Sequence, residues 1–203
     1  MLRAGRSFAR SRDGVSAVEF ALILPVLLTI WAGLSECAHA IDNWRKVVLL
    51  ARTVSDLTAQ GDAQNPIDAS LMNDILAAST QVLKPFDAGQ VKIVVSAMAV
   101  DLTNLNLVPR VCSSTASSNA SPRSTGTAAD LVVPVGFRTN GVRYVLAEVS
   151  MPYTPMLGAA LVKMVQGASP IMLKSSIPWP ARGGQPARST YTEVWMPGGT
   201  ACP

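Results

Sequence analysis

Residues 14 to 41, GVSAVEFALILPVLLTIWAGLSECAHAI, leave this chain few options. Glu19 stands at the lip of the stretch and the next charge is Glu36. Between them lie sixteen residues, Phe20 to Ser35, whose only polar side chains are Thr29 and the terminal Ser35. With the small and apolar residues on either side, Val15 to Val18 and Cys37 to Ile41, the run is long enough to cross a membrane. A span takes roughly 20 mainly apolar residues at about 1.5 Å of rise each. A short leader, residues 1–14, precedes it with Arg3, Arg6, Arg10 and Arg12 against the single acid Asp13. Arginines before a first span hold that side in the cytoplasm, so the chain reads as N-terminus in, C-terminus out.

Three kinds of segment have this outline. One is a plain single-pass anchor. Another is a secretory signal peptide, for which Ala38-His39-Ala40 supplies the small-x-small cleavage form. Its apolar core exceeds the usual 7–15 residues, roughly, and Glu36 falls just before the cut. The third is a prepilin-type leader, with the order basic leader, Gly14, four residues, Glu19, Phe20, apolar run. That order resembles junctions cut after the glycine, which here would leave Val15 as the new first residue and Glu19 as the fifth.

Beyond the junction, SAVEFALILPVLLTIWAGLSECA, with Pro25 inside the span, resembles the N-terminus of TadE-like pseudopilins of the Tad (tight adherence) pilus system. The likeness is dense over about residues 11 to 40 and thin beyond. It implies a minor pseudopilin of the bacterial inner membrane, N-terminus cytoplasmic and C-terminal domain periplasmic. Its partners would be a prepilin peptidase, membrane lipid, other pilins or pseudopilins and the pilus assembly platform. Its work would be assembly, initiation or anchoring of the pilus. Within that family's architecture Glu19 would meet the α-amino group of a neighbouring subunit's Val15. It equally suits the headgroup layer as the N-terminal acid of a helix, where the macrodipole favours it. Pro25 removes one helical hydrogen bond, which membrane helices tolerate.

The leader supplies +3 of the formal net charge of +4, leaving the other 189 residues at +1. Basicity here concerns topology and shows no basic–aromatic interleaving, so no nucleic-acid partner is expected. The single histidine, His39, at the membrane boundary, excludes most His-dependent catalysis and nearly every structural zinc arrangement. Phosphate-binding glycine loops, CxxC, HExxH and the Gly-x-Ser-x-Gly elbow are all missing from the sequence. Asp62, Asp68, Asp74, Asp87, Asp101, Asp130, Glu148 and Glu193 are scattered and read as solvated faces or caps. No catalytic residue, metal, cofactor or small-molecule substrate is therefore assigned, and the function expected is structural. The competing reading is an uncleaved, membrane-anchored periplasmic binding or envelope module in which Gly14 is incidental.

Of three cysteines, Cys37 lies at the outer end of the span, and Cys112 and Cys202 fall in the expected periplasmic part. Cys112–Cys202 is the favoured disulfide in that compartment, ahead of two free thiols or a Cys37 bridge between subunits. Closing a loop of about 90 residues contributes on the order of 4 kcal/mol in the chain-entropy model.

The expected fold class is α+β: one helix of about 45 residues, spanning 15–41 and continuing outside over 42–61, then a domain over 62–203. Trp44, Val47, Val48, Ala51, Val54 and Thr58 recur at helical spacing, with a stop at Gly61. A second helix starts at Asn65-Pro66 and closes at Lys84-Pro85. Strands are expected at 91–100, 143–151 and 170–177, with a short one near 131–133 and another at 190–195, in a mainly antiparallel sheet. A short apolar helix is expected at 156–165. The Ser/Thr-rich run 113–129 reads as an exposed loop.

Overall fold

The computed structural model describes residues 13–61, 67–100, 108–139, 141–156, 171–183 and 191–202. The chain divides into two units, Met1–Ile41 with Pro155–Ala168 and Asp42–Thr154 with Ser169–Pro203. Helix α1, Asp13–Thr58, is a single element of 46 residues with Pro25 inside it. The turn Ala59–Gly61 closes it, with Gly61 N–H donating to Thr58 O at 3.2 Å. Gly61 is required by packing, since a Cβ there would sit 2.5 Å from Ile67 Cγ1.

In the second unit the C-terminal part of α1 buries Val47, Leu50, Ala51 and Val54, one stripe at helical spacing. Trp44, which the periodicity assigned to this stripe, is half exposed, and Leu50 and Asn43 take the inward places. The stripe is a few tens of degrees away from the one the apolar spacing suggests.

Helix α2 is Ala69–Ala77 and the short α3 is Ser79–Val82. The second helix is thus broken near Ala78 and starts later than Asn65-Pro66, which lie outside the described residues. Its cap is Asp68, whose Oδ1 accepts the Leu71 N–H at 2.7 Å. Replacing Asp68 with alanine is expected to lower stability by about 1 kcal/mol, the usual worth of such a cap. A urea midpoint identical to wild type would show the cap to be idle.

The described residues form one antiparallel sheet of β1 (Lys92–Val100), β2 (Pro109–Ala116), β3 (Gly126–Thr127), β4 (Arg143–Tyr153) and β5 (Ile171–Pro180), in the order β3-β2-β1-β4-β5. β1 is central and mostly buried, in line with its β-branched composition and its two apolar faces. One face, carrying Ile93, Val95, Ala97, Val145, Ala147 and Val149, packs with the α1 stripe and with Met72 and Ile75 of α2. On the opposite face Met98, Val100, Val111, Tyr144 and Leu146 form a second cluster with Ala128 and Val133.

Several expected elements differ. The run 113–129 is not a loop throughout: residues 113–116 belong to β2, and Gly126–Thr127 pair back onto it. Serine lacks strand propensity, but Ser96 and Ser114 face each other across the ladder, Oγ to Oγ at 2.9 Å, and satisfy one another. Residues 131–133 are irregular, and a 3-10 turn, Val135–Phe137, follows. Leu131, Val133 and Phe137 serve the second apolar cluster without joining the ladder. β4 runs through Pro152 to Tyr153 instead of stopping at the proline. Its pairing with β1 ends at Ser150↔Lys92, so beyond that point it has β5 alone as a neighbour, where a ladder tolerates proline. β5 likewise extends to Pro180. The tail 191–195 is no strand; side-chain bonds, not a ladder, hold it. The helix expected at 156–165 lies, after Met156, outside the described residues.

Candidate functional site

In the first unit Gly14, Val15, Glu19 and Phe20 all fall within the opening two turns of α1. Val15 and Glu19 stand four residues apart and so share one helical face. Val15, Glu19 and Phe20 are exposed. So are Leu22, Ile23, Val26, Leu27, Trp31 and Leu34, all round the helix. A helix that is apolar on every side, with those side chains exposed among the described residues, is suited to lipid or to other apolar helices. α1 is long and apolar enough to cross a membrane, and its most apolar stretch is entirely unburied. Thr29, the one polar residue mid-span, donates its hydroxyl to Pro25 O at 2.7 Å, so its polar group is satisfied within the helix. At the far end Glu36 is half-buried and its Oε1 accepts the Met156 N–H at 3.1 Å. Cys37 is a free, exposed thiol.

In the second unit the charged side chains lock structure. Arg123 forks onto Glu148, through Nε and through Nη2 at 2.8 Å, and reaches Asp130 Oδ2 with Nη1 at 2.8 Å. Glu148 thereby holds the guanidinium protonated far beyond any working pH, and the guanidinium lowers the Asp130 carboxyl below the ordinary aspartate range. Burial pushes the Tyr144 phenol up to about 12. Arg143 and Glu193 are both buried, Nε to Oε2 at 3.5 Å, and Arg143 also lies 4.6 Å from the centre of the Tyr191 ring. That ring fits against Gly141, at φ +81°, where a Cβ would meet it at 2.6 Å. Arg182 Nη2 comes within 2.6 Å of Asp56 Oδ1, while the Arg182 N–H donates to Ala59 O at 2.9 Å.

Glu148 and Glu193 are therefore not the solvated carboxylates their scatter implies. Nothing local announces either pairing: Arg123 lies 25 residues from Glu148, and Arg143 is 50 residues from Glu193 in the sequence. The one available signal is an ionisable residue inside an otherwise apolar strand or tail, as in Ala147-Glu148-Val149 and Glu193-Val194-Trp195.

Cys112 and Cys202 are joined as a disulfide with Cα atoms 5.0 Å apart. Cys112 is the extra residue of a bulge, since Ala97 pairs with Ser113 and Met98 with Val111. The bulge lets Ser113 and Val111 face opposite sides of the sheet with an unpaired residue between them. Cys112 then packs against the apolar core on the helix side. Among the described residues no group of three His, Cys, Asp or Glu side chains is placed to hold a metal ion.

No curated protein and no solved structure matches the chain. Among protein families, residues 14–56 match the one described as TadE-like protein. The match covers the start of α1, its apolar span and the helical turns that follow.

Proposed function

We propose that this chain is a minor pseudopilin-like membrane protein that takes part in assembly, initiation or anchoring of a Tad/Flp-type pilus. The observation that carries the reading is a TadE-like match that begins at Gly14 and runs to residue 56, along a helix whose apolar surface is unburied. The N-terminus lies in the cytoplasm, the span in the inner membrane and the α+β unit in the periplasm. A prepilin peptidase cuts after Gly14 and leaves Val15 with a free α-amino group. The Gly14–Val15 bond belongs to the first turn of α1, so the peptidase must open that turn, and glycine is the residue least costly to unwind there. The activity is packing: apolar helix against the apolar helices of other subunits, with Glu19 meeting a neighbour's α-amino group and so setting register. A carboxylate at the edge of hydrocarbon gains most from a partner of that kind.

The test is the N-terminal residue of the membrane-extracted protein, read by mass spectrometry of its terminal peptide. A start at Val15 is expected, and Gly14→Ala should retain residues 1–14. A wild-type chain that keeps residues 1–14 would instead be an uncleaved anchor carrying a periplasmic module. A start at Ile41 would mean a signal peptide and defeat both readings.

A further inference from the structure

Half of the sheet face opposite α1 is covered by the second apolar cluster; the other half is open. It forms a depression of about 680 Å³ whose lining includes Lys92, Asn119, Ser121, Arg123, Glu148, Ser150, Lys174 and Ser176. Its wall is the Ser/Asn-rich segment after β2, and that wall is fixed by hydrogen bonds. Ser117 Oγ accepts the Ile93 N–H at 3.0 Å, Asn119 Nδ2 donates to Val91 O at 2.8 Å, and Arg123 N–H donates to Ser114 Oγ at 3.0 Å. The Arg123 fork onto Glu148 pins the same segment to β4. These side chains explain why the stretch is rich in serine, and they pre-form the cavity before any ligand arrives.

The charges in the depression are unbalanced in a specific way. Glu148 is neutralised by Arg123, and Asp130 is held by the same guanidinium. Lys92 and Lys174 stand on one cross-strand row, Lys92↔Ser150↔Lys174, both exposed. Neither has an ion-pair partner among the described residues. Two interstrand steps separate their backbones by roughly 10 Å, with the Ser150 position between them. Two ammonium groups rising from one row on the same face concentrate positive charge there, which suits a ligand bearing more than one negative charge. The lining between them offers hydroxyls and an amide, Asn119, Ser121, Ser150 and Ser176, to pair with sugar hydroxyls, beside the small apolar Val94, Ala120 and Val149.

We propose that this depression binds an acidic polysaccharide, with uronate carboxylates on Lys92 and Lys174 and sugar hydroxyls on the serine and asparagine groups between them. This site is independent of the leader and the span.

The test uses the full chain in detergent micelles and fluorescence anisotropy of a labelled oligomannuronate. Binding by wild type is expected, with no binding of a neutral dextran of similar length. Lys92→Gln and Lys174→Gln should each weaken binding by about tenfold, the worth of a hydrogen bond to a charged group. Lys84→Gln, whose ammonium group donates to Gln81 Oε1 and lies outside the depression, should leave binding unchanged. The proposal is overturned if wild type fails to bind, if the double variant binds as wild type does, or if Lys84→Gln loses as much. A polyglutamate of equal charge that binds as tightly as the uronate would overturn it too, in favour of an acidic peptide. Both lysines are exposed, so matching melting curves will show that the variants are folded.

Discussion

Replacing Glu193 with alanine should destabilise the α+β unit by about 3–5 kcal/mol, the cost of leaving a buried charge without its partner. The carboxylate forms an ion pair with Arg143 and accepts the Trp195 Nε1–H at 3.0 Å and the Cys202 N–H at 3.3 Å. Removing it leaves a buried guanidinium whose Nε already lacks a well-directed hydrogen bond. Solvent screening does not dilute the effect, because both side chains are about 5 % exposed or less. For a unit of this size the loss corresponds to a fall in melting temperature of roughly 10 °C, followed by circular dichroism. Glu193→Gln, which keeps an acceptor, should lose less. Replacing both partners, as Arg143→Met with Glu193→Leu, should recover much of the loss, since no charge then remains to desolvate. An alanine variant that melts with wild type would show the pair to be energetically idle.

Cys202→Ser should cost about 2–5 kcal/mol, because the bond to Cys112 ties the C-terminal tail to β2 across a separation of 90 residues. Much of that acts through the unfolded chain, which regains the freedom the cross-link removed. The folded tail keeps other holds, among them the Met196 N–H donating to Ser113 Oγ at 3.2 Å. The variant should therefore fold, melt lower than wild type, and be indifferent to dithiothreitol, whereas wild type should melt lower when the reductant is added. A wild-type melting curve unmoved by reductant would contradict the assigned role of the bridge. Because Glu193 accepts the Cys202 N–H, the two substitutions share a partner. The double variant should accordingly lose less than the sum of the single ones.

Reading the sequence succeeded where the information was local. The apolar run and the helical spacing of Val47, Ala51 and Val54 after it are both local signals, and together they account for the helix of 46 residues. Val91 to Val100 announces a central strand through β-branched residues on both faces. It succeeded less well at the second helix, where Asn65-Pro66 offered an equally good start and Asp68, three residues on, supplies the cap. It failed over 113–116 and 126–127, because serine and threonine carry the same composition in a loop and in a strand whose hydroxyls bond across the ladder. Composition does not tell which partner a hydroxyl will find.

Sequence alone determined the long helix, its apolar girth and the α+β class, since each depends on residues within a few turns of one another. The tertiary structure decided which carboxylates are buried, which arginine meets which acid, and which face of the sheet remains open around Lys92 and Lys174. It also placed the bulge that sends Cys112 toward the tail. Those outcomes depend on pairings between segments 25 to 90 residues apart, such as Arg123 with Glu148 and Cys112 with Cys202. No local propensity encodes them; the register of the assembled strands does.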